Sequence, residues 1–172
     1  MTRHRNWLRQ EPKDFKGKSL RNKKFTKRYL FDADFRELDL NGALFDEAML
    51  EGARFDDSSL AHASIRNAHL AHAKFRNTDL TNADLSYDRD FPRKKNSCFY
   101  ADFSQSTMEN ANFSRSPLTY ARFERSVLIQ ANFNRATLVA ADLTSSNMQN
   151  ADLRFTNLSR QNLLAVTCVE QI

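Results

Sequence analysis

The sequence predicts an all-β solenoid, in which the chain winds into four-sided coils that stack by parallel pairing. Three observations lead to this fold class. A large apolar residue recurs at every fifth position, and a small residue recurs two positions before it. Asn, Asp, Gly or His is frequent two positions after it. A fixed short period of this kind indicates stacked units that each contact only their neighbours.

The large apolar position can be followed from Leu20 to Leu85 and again from Cys98 to Leu163, which makes 28 positions without a polar residue. The small position holds Ala, Ser or Thr in ten of the eleven repeats between Ala33 and Ala83, with Leu38 as the exception. Each repeat is therefore read as small–x–large–x–x, with two core-facing residues.

This spacing excludes an α-helix, because residues five apart advance by about 140° beyond a full turn and spiral around the rod. A continuous strand also fails, since an odd period sends alternate repeats to opposite faces. The remaining solution is a short extended segment followed by a corner. Corners of roughly a right angle close a coil after about twenty residues, and stacked coils pair at about 4.8 Å. The sequence predicts about seven such coils.

Residues about twenty apart would lie above one another in this arrangement, which predicts stacked phenylalanine rings on opposite sides of the core. The predicted ladders comprise Phe25 with Phe45, then Phe35, Phe55 and Phe75, then Phe103 with Phe123, and Phe113 with Phe133. The residue two after each large residue is predicted to form the corner, because Asn, Asp and Gly tolerate turn conformations.

The repeats resemble those of the pentapeptide-repeat proteins, whose consensus is Ala-(Asp/Asn)-Leu/Phe-x-x. The match is carried by ADFRE, ARFDD, AKFRN, ADLSY, ADFSQ, ANFSR, ARFER, ANFNR, ADLTS and ADLRF, and it covers about residues 18–168. The resemblance implies a right-handed quadrilateral parallel β-helix without catalytic residues. It also implies dimerisation through the C-terminal end, which family members often use.

Charge divides the chain into a basic start and an acidic middle. Residues 1–30 carry eleven Lys or Arg against two acids, whereas residues 31–88 carry five against twelve. We interpret residues 1–17 as a basic N-terminal segment, which is either a cap with a short helix around residues 3–10 or a binding tail. Lys18, Lys23 and Arg28 fall on the normally small inward position, which predicts an irregular or splayed first coil.

The five-residue count is interrupted once, between Leu85 and Cys98, which are thirteen positions apart in place of five. The eight extra residues predict a loop at residues 86–97 that leaves a single β-helix spanning residues 18–168. The loop is either a protruding basic contact for a partner or a tolerated insertion. The candidate contact residues are Arg89, Phe91, Arg93, Lys94 and Lys95.

The C-terminal end, including residues 169–172 beyond the last repeat, is apolar and nearly uncharged. Such an end predicts either a folded-back lid or a contact between two copies of the chain. The candidate residues for a dimer contact are Leu163, Leu164, Val166, Val169 and Ile172.

Residues that could carry chemistry are few. His62, His69 and His72 are close in sequence, but two of them occupy corner positions and no Cys or carboxylate recurs with them, so a structural role is favoured over a metal site. Cys98 and Cys168 fall on the inward position and are interpreted as buried small hydrophobes. No Gly-rich phosphate loop and no Ser-His-Asp constellation is present. The sequence therefore predicts no enzyme activity, metal or cofactor.

The favoured function is a non-catalytic scaffold that binds a macromolecular protein partner. One alternative is modulation of a DNA-handling enzyme such as DNA gyrase by partial DNA mimicry, which the resemblance suggests and which residues 32–57, with nine acids and two basic residues, would support. A second is attachment to nucleic acid or an anionic membrane through residues 1–30. A cytoplasmic location is expected, because no secretory signal or long apolar run is evident.

Overall fold

The computed structural model describes residues 19–88, 98–160 and 163–167. Within these residues there is no helix, and backbone pairing occurs as single-residue parallel bridges rather than as longer strands. Most bridges join residues twenty apart, as in Asp39 with Ser59 and Arg54 with Lys74. No described helix is long and apolar enough to cross a membrane. The N-terminal cap predicted at residues 1–17 lies outside the described residues.

Four columns of bridge residues define four sides of the rod. Side 1 contains Lys24, Leu44, Ser64, Asp84, Asn112, Asn132 and Asp152. Side 2 contains Tyr29, Met49, His69, Pro117, Thr137 and Asn157. Side 3 contains Asp34, Arg54, Lys74, Asp102, Arg122 and Asp142. Side 4 contains Ser19, Asp39, Ser59, Asp79, Thr107, Val127, Asn147 and Thr167.

Each corner is a four-residue turn that begins at a large inward residue. The N–H three residues later donates to its carbonyl, as from Ala43 to Leu40 at 2.9 Å and from Ala131 to Leu128 at 3.0 Å. The third turn residue has a left-handed φ even where it is neither Asn nor Gly, as at Ala140 with φ 54°. Its N–H donates to the next coil, here to the Ser159 carbonyl at 2.9 Å. Stacking therefore enforces a backbone conformation that the residue alone disfavours.

The phenylalanines of the predicted ladders stack along two sides of the core. On side 3, Phe35, Phe55, Phe75, Phe103 and Phe123 follow one another with centroid separations of 5.0, 4.7, 4.9 and 5.1 Å. On side 1, Phe25 stacks on Phe45 at 4.8 Å and Phe113 on Phe133 at 5.0 Å. Rings of the two sides meet edge to face, for example at 5.5 Å between Phe45 and Phe55. The small inward residues leave room for these contacts.

The side 3 ladder is continuous across the insertion, although the insertion interrupts the five-residue period between Phe75 and Phe103. Bridges that span the insertion join residues 28 apart rather than twenty, as in Lys74 with Asp102 and Asp84 with Asn112. The pairing offset of sides 1, 3 and 4 therefore grows by eight residues across the insertion. Phe75 stacks on Phe103 as if the two were consecutive rungs.

The described part of the predicted loop, residues 86–88, belongs to the coil. The Ser86 carbonyl accepts from the Asn67 N–H at 3.0 Å, and the Tyr87 N–H donates to the Ser114 carbonyl at 3.0 Å. Tyr87 is 2% exposed, and its hydroxyl donates to the Ala68 carbonyl. Asp88 accepts from the Asn67 side-chain amide at 2.9 Å, and its N–H donates back to the Asn67 side-chain oxygen at 2.9 Å. These contacts hold the chain in the coil as far as residue 88.

The prediction of an irregular or splayed first coil was wrong for the described backbone. Ser19, Lys24 and Tyr29 pair with residues twenty positions later, as in the other coils that do not span the insertion. Lys23 and Arg28 nevertheless occupy inward positions and are exposed. Their long aliphatic stems carry the charged ends to solvent, so the backbone pairing does not need to be disrupted. Lys18 lies outside the described residues.

Candidate interaction surface

Side 2 lacks charged side chains over much of its length. Its described outward residues between 69 and 140 include no Asp, Glu, Lys or Arg; they are His69, Ala71, His72, Phe99, Tyr100, Pro117, Thr119, Tyr120, Thr137, Val139 and Ala140. Side 3 carries seven charged residues over the same coils: Lys74, Arg76, Asp102, Arg122, Glu124, Arg125 and Asp142. An uncharged side is thus set beside a strongly charged one.

An aromatic column, formed by His72, Tyr100 and Tyr120, follows the corner between sides 2 and 3. The imidazole of His72 stacks on the Tyr100 ring at 5.4 Å, and Tyr100 stacks on Tyr120 at 5.0 Å, with interplanar angles of 13° in both pairs. Phe99 contacts both tyrosines edge-on, at 4.6 and 5.1 Å. The column is therefore a packed and ordered feature of the surface.

The tyrosines of the aromatic column remain accessible although they pack against each other. Tyr100 is 48% exposed and Tyr120 is 41% exposed. An exposed tyrosine combines a large apolar ring with a hydroxyl that can donate or accept, and such residues are enriched in protein interfaces. A contiguous aromatic patch on an uncharged side is typical of a surface that binds another molecule.

Ion pairs occupy much of the remaining surface. Arg36 and Asp34 are 2.5 Å apart, Arg66 and Asp88 are 2.6 Å apart, and Arg154 and Asp152 are 2.9 Å apart. The hydrogen bond from Arg36 lowers the pKa of Asp34 to about 2, and the hydrogen bond from Arg154 likewise lowers the pKa of Asp152 to about 2. Charged groups of sides 1 and 3 are thus largely neutralised by their neighbours.

Acidification is expected to weaken these pairs. The pKa of Asp34 is lowered from 3.8 in the unfolded reference to about 2, so the stabilisation is complete above the higher value and is lost as the pH falls through the lower one. Each exposed pair contributes below about 1 kcal/mol. We expect thermal denaturation of Asp34→Asn to depend less on pH between about 4 and 2 than that of the unmodified protein. Equal pH dependence of the two proteins would contradict this assignment.

The histidines and cysteines are placed as follows. His62 and His72 are corner residues with φ of 60° and 59°, whereas His69 is a bridge residue of side 2 and is 6% exposed. No group of three or more His, Cys, Asp or Glu that could hold a metal occurs among the residues described. Cys98 is buried, and burial raises the pKa of its thiol to about 12. Cys168 lies outside the described residues.

The C-terminal end exposes several apolar side chains. Leu163 is 50% exposed and Leu164 is 69% exposed, while Val166 is half-buried. Phe155 is 77% exposed, with the Arg135 guanidinium 5.0 Å from its ring centroid. Val169 and Ile172 of the predicted dimer contact lie outside the described residues. So do the candidate loop residues Arg89, Phe91, Arg93, Lys94 and Lys95.

The aromatic column is absent from the sequence predictions because corner residues were considered only as turn formers. A signal did exist. His72 and Tyr100 are 28 residues apart, and Tyr100 and Tyr120 are twenty apart, which are the two pairing offsets of the coils. Counting the corner positions with the eight extra residues included would have aligned the three rings.

The stacked coils and the exposed aromatic side define a repeat solenoid with a surface available for binding. A protein-family model described as pentapeptide repeats matches the chain in eight copies, over residues 29–67, 58–87, 97–135 and 121–160. The chain belongs to the pentapeptide-repeat family. This confirms the resemblance on which the sequence prediction of a right-handed quadrilateral β-helix rests. The number of coils and the helical cap stay predictions.

Among the solved structures compared, HetL has the same fold. HetL from Nostoc sp. strain PCC 7120, a pentapeptide repeat protein involved in heterocyst differentiation regulation, is 23% identical with a TM-score of 0.60, and the alignment covers 86% of this chain and 67% of HetL. Full-length QnrB1, a plasmid-mediated fluoroquinolone resistance protein, is 17% identical with a TM-score of 0.48, over 87% of this chain and 81% of QnrB1. A comparison with curated proteins found no match.

Proposed function

We propose that this protein is a non-catalytic scaffold that binds a macromolecular protein partner through side 2. The observation that carries the proposal is the exposed aromatic column on side 2, whose described outward residues between 69 and 140 carry no charge. The inward residues of most repeats are buried in the core, so a partner can be contacted there only by the outward residues. Among these, Tyr100 and Tyr120 combine exposure with the residue type that most often contributes binding energy at interfaces.

A quantitative pull-down with the intact protein tests the proposal. We expect a partner to be retained by the unmodified protein and lost by the double variant Tyr100→Ala, Tyr120→Ala. The matched control is Asn110→Ala, Gln130→Ala, which changes the same repeat position at the opposite corner, where φ is 57° at both residues. Equal retention of every partner by the two double variants would refute a role for side 2.

We further propose that two copies associate through the C-terminal end. Leu163 and Leu164 leave apolar surface exposed at the last described coil, and burial of such surface against a second copy is favourable. We expect Leu163→Glu, Leu164→Glu to convert a dimer into a monomer in sedimentation velocity. Asn110→Glu, far from this end, should leave the dimer unchanged. A monomer for the unmodified protein at high concentration would exclude the contact.

DNA mimicry is a second candidate function, and the acids of residues 32–57 are the observation in its favour. Three of these acids, Asp34, Asp39 and Asp56, lie within 4 Å of an arginine, which weakens the local negative potential. A DNA gyrase supercoiling assay tests it directly, with Glu37→Lys, Glu51→Lys as the charge-reversed variant. Attachment to nucleic acid or membranes through residues 1–30 stays a prediction, for which salt-dependent binding is the test.

A further inference from the structure

We propose that side 2 recognises an acidic segment of a partner protein, and that an aromatic side chain of this segment stacks on Tyr120 in a notch above Ala140. The inference rests on the proposed function of side 2 and adds the chemistry of its partner. The notch is defined by Tyr120, Ala140 and Arg160, which occupy the same corner position in successive coils.

The register of these three residues follows from backbone hydrogen bonds. The Tyr120 N–H donates to the Val139 carbonyl at 2.9 Å, and the Ala140 N–H donates to the Ser159 carbonyl at 2.9 Å. Each bond reaches the residue just before the next member of the column. Ala140 therefore continues the aromatic column directly after Tyr120, and Arg160 follows Ala140.

The notch exists because the aromatic column ends at a small residue. Tyr100 has His72 stacked on one ring face and Tyr120 on the other. Tyr120 has Tyr100 on one face only, and the next corner residue, Ala140, contributes no more than a methyl group. With coils about 4.8 Å apart, roughly 10 Å separates the levels of Tyr120 and Arg160. One planar ring fits between them at stacking distance from both.

The charged rim of side 2 indicates an acidic partner. Arginines elsewhere on the rod, such as Arg36, Arg66 and Arg122, have a carboxylate within 4 Å. In the described part of the chain, four basic residues next to side 2 have no carboxylate at that distance; they are Lys74, Arg115, Arg135 and Arg160. Cations that have no carboxylate of their own chain within 4 Å are available to pair with acidic groups of another molecule.

The positions of these cations suit a peptide that carries one apolar anchor between acidic residues. Arg115 and Arg135 lie at the corner between sides 1 and 2. Arg160 lies at the corner between sides 2 and 3, and Lys74 lies just beyond that corner, on side 3. The uncharged strip with the notch lies between the two groups. Anchors of protein interfaces are central aromatic residues surrounded by a polar rim.

A single strand of nucleic acid fits this surface less well. Such strands bind through several aromatic faces, on which successive bases stack, and through a continuous cationic track for the phosphates. The aromatic column offers ring faces only at its two ends, at His72 and Tyr120, because both faces of Tyr100 are covered by its neighbours. The cations form two separated groups rather than one track.

Fluorescence anisotropy with a defined probe tests the proposal on the intact protein. The probe is a short fluorescein-labelled peptide with a single tryptophan flanked on both sides by Glu and Asp. Matched probes carry leucine in place of tryptophan, or lysines in place of the acids, and an oligo-dT strand of equal charge serves as the nucleic acid. We expect the acidic tryptophan peptide to bind, the leucine peptide to bind about three- to tenfold more weakly, and the lysine peptide not to bind.

Variants of the notch test where the probe binds. We expect Tyr120→Ala and Arg160→Glu each to weaken binding about three- to tenfold, by loss of stacking and of the cation. Ala140→Trp should fill the notch and weaken binding about tenfold or more. The matched control is Gln130→Trp, since residues 130 and 140 occupy the same repeat position with φ of 57° and 54°. Gln130→Trp should bind the probe as the unmodified protein does.

The proposal is overturned if the acidic tryptophan peptide does not bind, if the leucine peptide binds equally well, or if oligo-dT binds more tightly than the peptide. It is also overturned if folded Ala140→Trp binds normally. If Ala140→Trp does not fold, the proposal is tested by Tyr120→Ala and Arg160→Glu, and normal binding of the peptide by both variants overturns it. One combination of results separates the two proposals. If the acidic tryptophan peptide does not bind, but the Tyr100→Ala, Tyr120→Ala variant still loses its partner in the pull-down, then the acidic partner segment is refuted and the proposed function of side 2 stands.

Discussion

Replacing Phe75 with alanine is expected to destabilise the folded protein by about 3–5 kcal/mol, as measured for buried aromatic residues in well-packed cores. Phe75 is fully buried and stacks between Phe55 at 4.7 Å and Phe103 at 4.9 Å. Its removal leaves a cavity in the middle of the side 3 ladder, at the coil that joins the two parts of the repeat. Because native domains are stable by only about 5–15 kcal/mol, this one change removes a large share of the total.

Urea-induced unfolding, followed by circular dichroism, measures the effect of Phe75→Ala. Phe155→Ala is the matched control, since Phe155 is 77% exposed and its removal should change the free energy of unfolding by less than about 0.5 kcal/mol. Phe75→Leu should fall between the two, because much of the volume is kept. If Phe75→Ala and Phe155→Ala unfolded at the same urea concentration, the continuous ladder would not be the core of this rod.

Tyr87→Ala is expected to have an effect of similar size, about 3–5 kcal/mol. Tyr87 is 2% exposed, its hydroxyl donates to the Ala68 carbonyl, and the Cys98 thiol is 3.8 Å from the same hydroxyl. The side chain thus fills the core where the regular repeat is interrupted, and it connects the residues before the insertion to the first described residue after it. Loss of the ring would open a cavity beside Ala68 and Cys98.

Tyr87→Phe separates the contribution of the ring from that of the hydroxyl. This variant keeps the packing and loses the buried hydrogen bond to the Ala68 carbonyl and the weak one from the Cys98 thiol, so its cost should be about 1 kcal/mol. Thermal and urea denaturation of Tyr87→Ala, Tyr87→Phe and the unmodified protein give the comparison. If Tyr87 behaved as a residue of an exposed loop, both substitutions would change stability by less than about 0.5 kcal/mol, and that result would contradict the placement in the coil.

The repeat itself could be predicted well from the sequence, because each structural requirement selects particular residue types at a fixed position of the repeat. A small and a large residue two apart must both face inward, and a turn must follow, so the five-residue period of Ala33, Phe35 and their successors specifies the coil. The left-handed corners at Asn67, Asn82 and Asn110 agree with the residue types that tolerate this conformation.

The candidate surface could not be predicted in the same way. Outward positions obey no packing rule, so His72, Tyr100 and Tyr120 appear in the sequence as unrelated corner residues. Their contact depends on the pairing offset of 28 residues across the insertion, which places Phe99 and Tyr100 next to His72. The same applies to the basic residues, since only the paired coils show that Arg122 has an acidic neighbour in Asp102, twenty positions away, and that Arg160 has none within 4 Å among the described residues.

The sequence by itself determined the coil, its core-facing residues and its corners, because burial acts on each repeat separately and selects the same residue types every time. Tertiary structure decided what the outside presents. Stacking brings together residues that are twenty or 28 positions apart, so that the rings of the aromatic column meet, Arg122 pairs with Asp102 and a notch forms above Ala140. Tyr87 shows the same difference between what the sequence and the tertiary structure determine. Because it interrupts the five-residue period, it was expected in a loop, but in the structure its side chain is buried in the core beside Cys98.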